Sequence, residues 1–541
     1  MDGPTSDGDM IEHTSDHGRP QRPPTTPAYL ARIVPELTVG AVASILALIG
    51  SWHTSLWTDE SATISAARRS VSDLWTLLHS LDVVHGTYYL FMHYWMDAFG
   101  QSPFVLRLPS ALFVGIAVGL TVSCTRRLTD GPTAVTAGLL LALLPRVTWA
   151  GMEARPYAAS VALAAAATSA VLTAVHRPTV GWWVTYAVLL AAGCYVNVYV
   201  ALLGMSHLCS VLLDRTVGAV VRRRLLLSAV GAAVLCTPLL MTASSQTGQL
   251  GSAVRGPLDW IRNVAVNQWF LGDTPTTTTG RAVGTPSATN IGSWWPVAAV
   301  ILAVVSWLVI AYGAAQSGRA TESSVAWLRR RPFCWTVPWV VVPTVVIVAY
   351  SLLTPVYSPR YLTFASPGLV ILLATGLRAV PRRWTRVAVV VLLAVSTLPV
   401  YVSQRQLYAK NGSDWSSVGA ELAASRASGD CVYFTPRYPG AAGPIGQTTR
   451  GISVAYPQDF AGLRDLTLLQ APSLAGNLTG FSQPLANVTA SLAACTRVWV
   501  VQRNDYPTRD VSADKAVLTR AGLSGRTVWQ GPLDHLELFT R

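Results

Sequence analysis

From Trp182 to Leu213 the chain runs for 32 residues without an Asp, Glu, Lys or Arg. As one straight helix this stretch would be about 48 Å long, at about 1.5 Å per residue, against a hydrocarbon core about 30 Å thick. Arg177 precedes it and Arg215 follows it, and short arginine-bearing loops of membrane proteins stay on the cytoplasmic side. The run must therefore cross, turn and cross back. The turn is expected at Tyr195–Tyr199, where Asn197 supplies a residue suited to a tight reversal.

The same reasoning organises most of the chain. Of 541 residues 51% are hydrophobic and 12% charged, half the charged share of about 25% usual in soluble domains. The net charge of +13 comes almost entirely from arginine, since Lys410 and Lys515 are the only lysines. These arginines cluster in short loops, at 126–127, 177, 215–224, 319–331 and 378–386, between apolar runs. That pattern sets membrane orientation and argues against a nucleic-acid partner. Eleven spans are predicted, near residues 37–52, 104–124, 132–144, 156–175, 182–194, 198–213, 225–243, 294–314, 333–353, 362–377 and 387–402. The fold class is thus an α-helical polytopic membrane protein. Residues 1–28 are polar and lack a signal-peptide pattern; they are expected to form a disordered cytoplasmic tail ahead of a membrane domain at 29–403.

Alternation of the spans places the chemically interesting loops on one face. The outer side receives residues 53–103, the turn "MEARPY" (Met152–Tyr157), the loop 244–292, the turn "TPVYSPRY" (Thr354–Tyr361) and everything after Gln404. Residues 404–541 have ordinary composition and read as an extracytoplasmic α/β domain: "CVYF", "ISVAY" and "RVWVV" as strands, "DWSSVGAELAAS" and "SADKAVLTRAG" as helices. Cys431 and Cys495 both fall there and are candidates for a disulfide, while the other five cysteines lie in spans. No Cys/His metal spacing, phosphate-cradling glycine loop, Ser-His-Asp pattern or internal repeat is present.

The loop 53–103 carries the strongest signal. "LWTDESA" puts Asp59 and Glu60 directly after a membrane span, and two amphipathic helices follow, marked by Leu74, Leu77, Leu78 and Leu81 and by Tyr88, Phe91, Met92, Trp95 and Phe99. The carboxylates could merely stabilise a helix N-terminus. Asp82, His85 and His93, taken alone, read as turn and helix residues. Glu153 and Arg155 could pair with each other.

Four segments together, "LWTDE", "HGTYYLFMHYWMDAFGQSPFVLRLPSAL", "GMEARPYAAS" and "YSPRYLTFASPGLVILLA", resemble the GT-C integral-membrane glycosyltransferases, specifically the protein-O-mannosyltransferase and RgtA/B/C/D-like group. "HGTYY" departs from the His-Pro-Pro-like turn of many relatives. The resemblance implies a polyprenyl-phosphate sugar donor, mannose or arabinose, and an acceptor that is a glycan, lipoglycan or protein. It implies Asp59 as general base, with Glu60 and Glu153 as further catalytic candidates. Arg360, Tyr361 and Arg155 become candidates for the donor phosphate, and Asp82, His85 and Tyr88 for substrate contacts. A sugar hydroxyl must lose its proton as the new bond forms, which suits a fixed carboxylate, and guanidinium suits a departing phosphate. No metal is required, although Asp59, Glu60 and Glu153 together could hold a divalent cation. Two other classes remain: a transporter or flippase of lipid-linked sugars, which would carry ionisable groups near the bilayer midplane, and a non-catalytic scaffold. A multi-pass plasma-membrane protein with a cytoplasmic N-terminus is expected.

Overall fold

A computed structural model describes residues 26–246, 256–272, 290–319, 328, 330–436 and 448–541. Among the described residues eleven apolar helices form a bundle. Numbering the α-helices of six residues or more in chain order, they are α1 (Thr26–Leu48), α5 (Pro103–Leu128), α6 (Gly131–Leu143), α8 (Tyr157–His176), α9 (Val180–Val196), α10 (Ala201–Leu213), α11 (Ala219–Ser244), α13 (Trp295–Arg319), α14 (Arg331–Ser351), α15 (Ser366–Ala379) and α16 (Arg383–Ser403). Eight segments, some including flanking turns, are long enough to cross a bilayer, and three shorter apolar ones complete the set. The turn between α9 and α10 falls at Asn197, whose side chain accepts from the Tyr199 amide and so starts a 3-10 turn at Val198–Val200. Helix α1 starts at Thr26, well before the expected Leu37, because Pro27 and Pro35 do not stop it. Most of the expected tail lies outside the described residues.

Helices α1 and α5 cross with their backbones nearly touching. A Cβ on Gly40 would sit 2.7 Å from the Gly115 carbonyl oxygen, and one on Gly115 would sit 2.6 Å from that of Gly40. Small residues permit this approach where lipid offers no hydrophobic drive for helix association.

Arginine-rich loops gather at one end of the bundle. There Arg127 donates to the Ser169 carbonyl and the Thr173 hydroxyl, Arg378 pairs with Asp130 at 3.2 Å, and Arg331 pairs with Asp214 at 3.5 Å. At the opposite end lie α2 (Thr58–Ala67), α3 (Val71–Ser80), α4 (Gly86–Phe99), the short α7 (Pro145–Ala150), α12 (Pro257–Arg262) and the 3-10 segment Pro359–Ala365. The C-terminal domain sits on this second end.

Its five-stranded sheet has the order β2-β1-β5-β7-β6, with β1 (Cys431–Thr435), β2 (Arg464–Asp465) and β5 (Arg497–Arg503) parallel, and β7 (Asp534–Thr540) antiparallel to both β5 and β6 (Ser524–Gln530). β3 (Leu468–Gln470) and β4 (Phe481–Ser482) form a separate hairpin. Residues alternate between two cores. Val432, Phe434, Trp499, Val501, Leu536 and Leu538 join the core that holds α2–α4, whereas Tyr433, Val498, Val500 and Phe539 face the domain's own core with the Cys431–Cys495 disulfide. Burial on both faces explains why these strands read as continuous apolar runs. "ISVAY", expected as a strand, lies instead on the helix α18 (Arg450–Ala455), after α17 (Trp415–Ser425). Ile452 and Ala455 point inward at a spacing of three, the helical period that so short a run leaves ambiguous.

Gly115→Val tests the α1–α5 contact. Even if the Ser44 hydroxyl rotates aside, the Gly40 carbonyl oxygen still stands 2.6 Å from the new Cβ and is backbone, so the detergent-solubilised variant should unfold at least several degrees lower, an overpacking cost of about 1–3 kcal/mol or more, measured by thermal unfolding against the wild type.

Candidate active site

Trp57 precedes α2, its carbonyl accepting from Ser61 N at 2.9 Å, so Asp59 and Glu60 occupy the first turn. Successive residues on an α-helix point about 100° apart. The two carboxylates therefore part company: Asp59 faces a cavity and Glu60 faces protein.

Glu60 is fully buried. Its Oε1 accepts from Arg107 Nε at 2.7 Å and from the Ala154 amide at 3.0 Å, and its Oε2 accepts from Arg107 Nη2 at 2.5 Å. Arg107 also donates to the carbonyls of Ser51, Thr54 and Ser55. Burial alone raises the Glu60 carboxyl, but the Arg107 charge and hydrogen bonds outweigh it and leave the group below its ordinary 4.5. Glu153 is equally buried; it accepts from Trp57 Nε1 at 3.0 Å and pairs with Lys410. Burial pushes the Glu153 carboxyl up and the Lys410 ammonium down, while their mutual attraction opposes both shifts. Neither Glu60 nor Glu153 lines the cavity, contrary to their expected catalytic place, because each is consumed by a buried cation. Nor do they converge with Asp59 on a metal: among the described residues no group of three or more His, Cys, Asp or Glu is placed to hold one. Tyr88 is likewise displaced from the expected substrate contacts, buried with its hydroxyl 3.5 Å from Ser110 Oγ.

The cavity has a volume of about 530 Å³, and Asp59, Asp82, His85, Arg155, Arg360 and Tyr361 all line it. Arg360, at the start of the Pro359–Ala365 turn, places Nη1 2.9 Å from Asp59 Oδ2. The rings of Trp57, Tyr157 and Tyr361 surround its guanidinium at 5.7, 5.9 and 5.8 Å, within cation–π range. Arg155 places Nε 4.0 Å from the same carboxylate oxygen. Tyr361 stacks on Tyr199 at 5.2 Å, and Asn197 donates to the Tyr361 carbonyl at 3.0 Å. Burial, reinforced by Arg155 and Arg360, holds the His85 imidazole well below its ordinary pKa and therefore neutral at pH 7. Burial raises the Asp82 carboxyl, against the attraction of Arg155 and a hydrogen bond from Tyr89.

Apolar groups complete the wall. Leu240 and Ala243 come from α11, Ile347 and Tyr350 from α14, and Leu478 from the C-terminal domain. Gln246, just past α11, ties down the α3–α4 turn by accepting from Val83 N and donating to the Leu78 carbonyl. Arg107, Lys410, Tyr89 and Leu478 were not singled out from sequence. Lys410 carried a usable signal as one of only two lysines, and Arg107 as an isolated charge near one end of an apolar span.

Comparison with known proteins now bears on this arrangement. Residues 87–241 match the family described as dolichyl-phosphate-mannose-protein mannosyltransferase. The crystal structure of ArnT from Cupriavidus metallidurans in the apo state superposes with a TM-score of 0.54 at 14% identity, covering 94% of this chain and 97% of that one. The chain therefore shares the fold of that structure. The ArnT structure bound to undecaprenyl phosphate gives the same TM-score at 15% identity, with 94% and 98% covered. No curated protein sequence matches. The family match begins at Thr87, so Asp59 precedes it while Arg155 lies inside it.

Arg107→Met strands the Glu60 charge in the interior. The variant should lose about 3–5 kcal/mol, and Glu60→Gln/Arg107→Met should recover part of that loss in thermal unfolding. The sign with pH follows from the lowered Glu60 value: its stabilising contribution is complete above pH 4.5 and is lost as acid takes the pH down through the folded-state value.

Proposed function

We propose that this protein transfers a sugar, mannose as the first candidate, from a polyprenyl monophosphate to an acceptor hydroxyl on the extracytoplasmic face, with inversion at the anomeric carbon. One observation carries the reading: a carboxylate and two guanidinium groups, Asp59, Arg155 and Arg360, line one cavity whose remaining wall is largely apolar. The side assignment rests on the arginine loops at the far end of the bundle and on the disulfide at this end.

The chemistry divides between two sides of the sugar. Asp59 takes the proton of the acceptor hydroxyl as that oxygen bonds to the anomeric carbon. The bond from that carbon to the phosphate oxygen breaks, through an oxocarbenium-like transition state by analogy with glycoside hydrolysis. Arg360 and Arg155 take up the charge of the departing polyprenyl phosphate. Without donor, Arg360 occupies Asp59 itself. A donor phosphate competes for that guanidinium, so the carboxylate is released to act as a base when donor is in place. The apolar side chains of α11 and α14 suit the first isoprene units. The C-terminal domain, through Leu478, covers the cavity and helps select the acceptor.

Asp59→Asn should reduce turnover by roughly 10²- to 10⁴-fold while the variant still binds donor. Membranes containing either form are supplied with labelled polyprenyl phosphate mannose and, in parallel, polyprenyl phosphate arabinose, and sugar release is counted. Equal consumption by the variant and the wild type would remove Asp59 from the mechanism. Arg360→Gln should chiefly raise the donor KM, since it removes a phosphate partner present from the moment of binding.

A further inference from the structure

The proposed chemistry leaves one hydrogen-bonded pair, half-buried Asp82 in the cavity wall and buried Tyr89 beside it, without a role. Asp82 has a φ of 57°, in the left-handed region that disfavours residues other than glycine, although aspartate enters it more readily than most. It precedes the 3-10 turn Val83–His85 but makes no side-chain cap to it. Instead Asp82 Oδ2 accepts from the hydroxyl of Tyr89 at 3.0 Å. Tyr89 itself is fully buried, and its hydroxyl oxygen accepts from Arg155 Nη1 at 3.1 Å.

A tyrosine hydroxyl has one proton and two lone pairs. With its proton directed to Asp82, it presents only lone pairs to Arg155, the polarity a guanidinium needs. Arg155 would otherwise be held at this end by little: its Nη1 lies 3.4 Å from the Asp59 carbonyl and its Nε 4.0 Å from Asp59 Oδ2, both long for a hydrogen bond. Fixing so long a side chain costs rotamer entropy. The hydroxyl of Tyr89 is the one short contact in the set that meets this cost from a rigid, buried support.

We infer that Tyr89 is a positioning residue: its hydroxyl, oriented by Asp82, holds Arg155 in the cavity wall beside Asp59, where it meets the phosphate of the donor. The inference rests on the reading of the cavity as a polyprenyl-phosphate site. Tyr89 acts through Arg155 and touches neither substrate nor the reacting atoms.

The test is a double-mutant cycle on the full-length purified protein, with undecaprenyl monophosphate as the probe and its dissociation constant as the readout. Tyr89→Phe removes the hydroxyl and keeps the ring. It should weaken binding about tenfold, the scale expected for a hydrogen bond to a charged group, and Arg155→Gln should weaken it at least as much. The double variant should bind within about twofold of Arg155→Gln alone, because the hydroxyl has nothing left to position. A purely structural tyrosine would give losses that add, and that outcome overturns the inference; so does a Tyr89→Phe affinity within twofold of the wild type. A wild type that fails to bind the probe overturns the reading of the cavity on which the inference rests, and the Asp59→Asn turnover comparison examines that reading independently.

Discussion

The fork between Arg107 and Glu60 is the constraint on which the rest of this end of the bundle depends. A guanidinium buried without water must find an acceptor for each of its donors. Arg107 does so by gathering the Glu60 carboxylate and the carbonyls of residues 51, 54 and 55 around one point. The chain leaving α1 is thereby held against the start of α5, and the first turn of α2 is fixed in both position and rotation. Asp59 inherits its direction from its neighbour. A buried ion pair is weak evidence for net stability, but here its geometric consequence is specific, since one more or one fewer residue before Glu60 would turn Asp59 away from the cavity.

Charge inside the cavity is closely balanced, with Asp59 and Asp82 against Arg155 and Arg360. Each arginine is supported differently. Arg360 lies among the rings of Trp57, Tyr157 and Tyr361, which favour a cation, and pairs with Asp59 at 2.9 Å. Arg155 is anchored by polar contacts and is only 5% exposed.

Much of the fold was legible because membrane and water impose strong periodicities. The arginine clusters delimited the spans, the 32-residue uncharged run forced a turn at Asn197, and helical spacing in the loop 53–103 marked α3 and α4. What escaped was set by long-range partners. Nothing local to "TDES" distinguishes a carboxylate facing a cavity from one facing Arg107, some fifty residues away, and Glu153 pairs with Lys410 across more than 250 residues of chain. Sequence grouped Glu60, Glu153 and Tyr88 with Asp59 because the same loops contain them; tertiary packing then turned them elsewhere. Asp59, Arg155, Arg360, Tyr361, Asp82 and His85 do share the cavity, since the turns that carry them meet at one end of the bundle.

The segment that roofs the cavity is held by its backbone. Ser65 donates to the Leu478 carbonyl at 2.7 Å, and Arg69 donates to that of Asn477. Carbonyl groups are common to all residues, so the anchoring is indifferent to which side chain stands at position 478. The side chain of Leu478 is itself buried in the core it shares with α2–α4, so a replacement there reshapes the space above Asp59 while the two backbone attachments remain. The attachment of the roof and the shape of its underside are thus set by different atoms of the same residues.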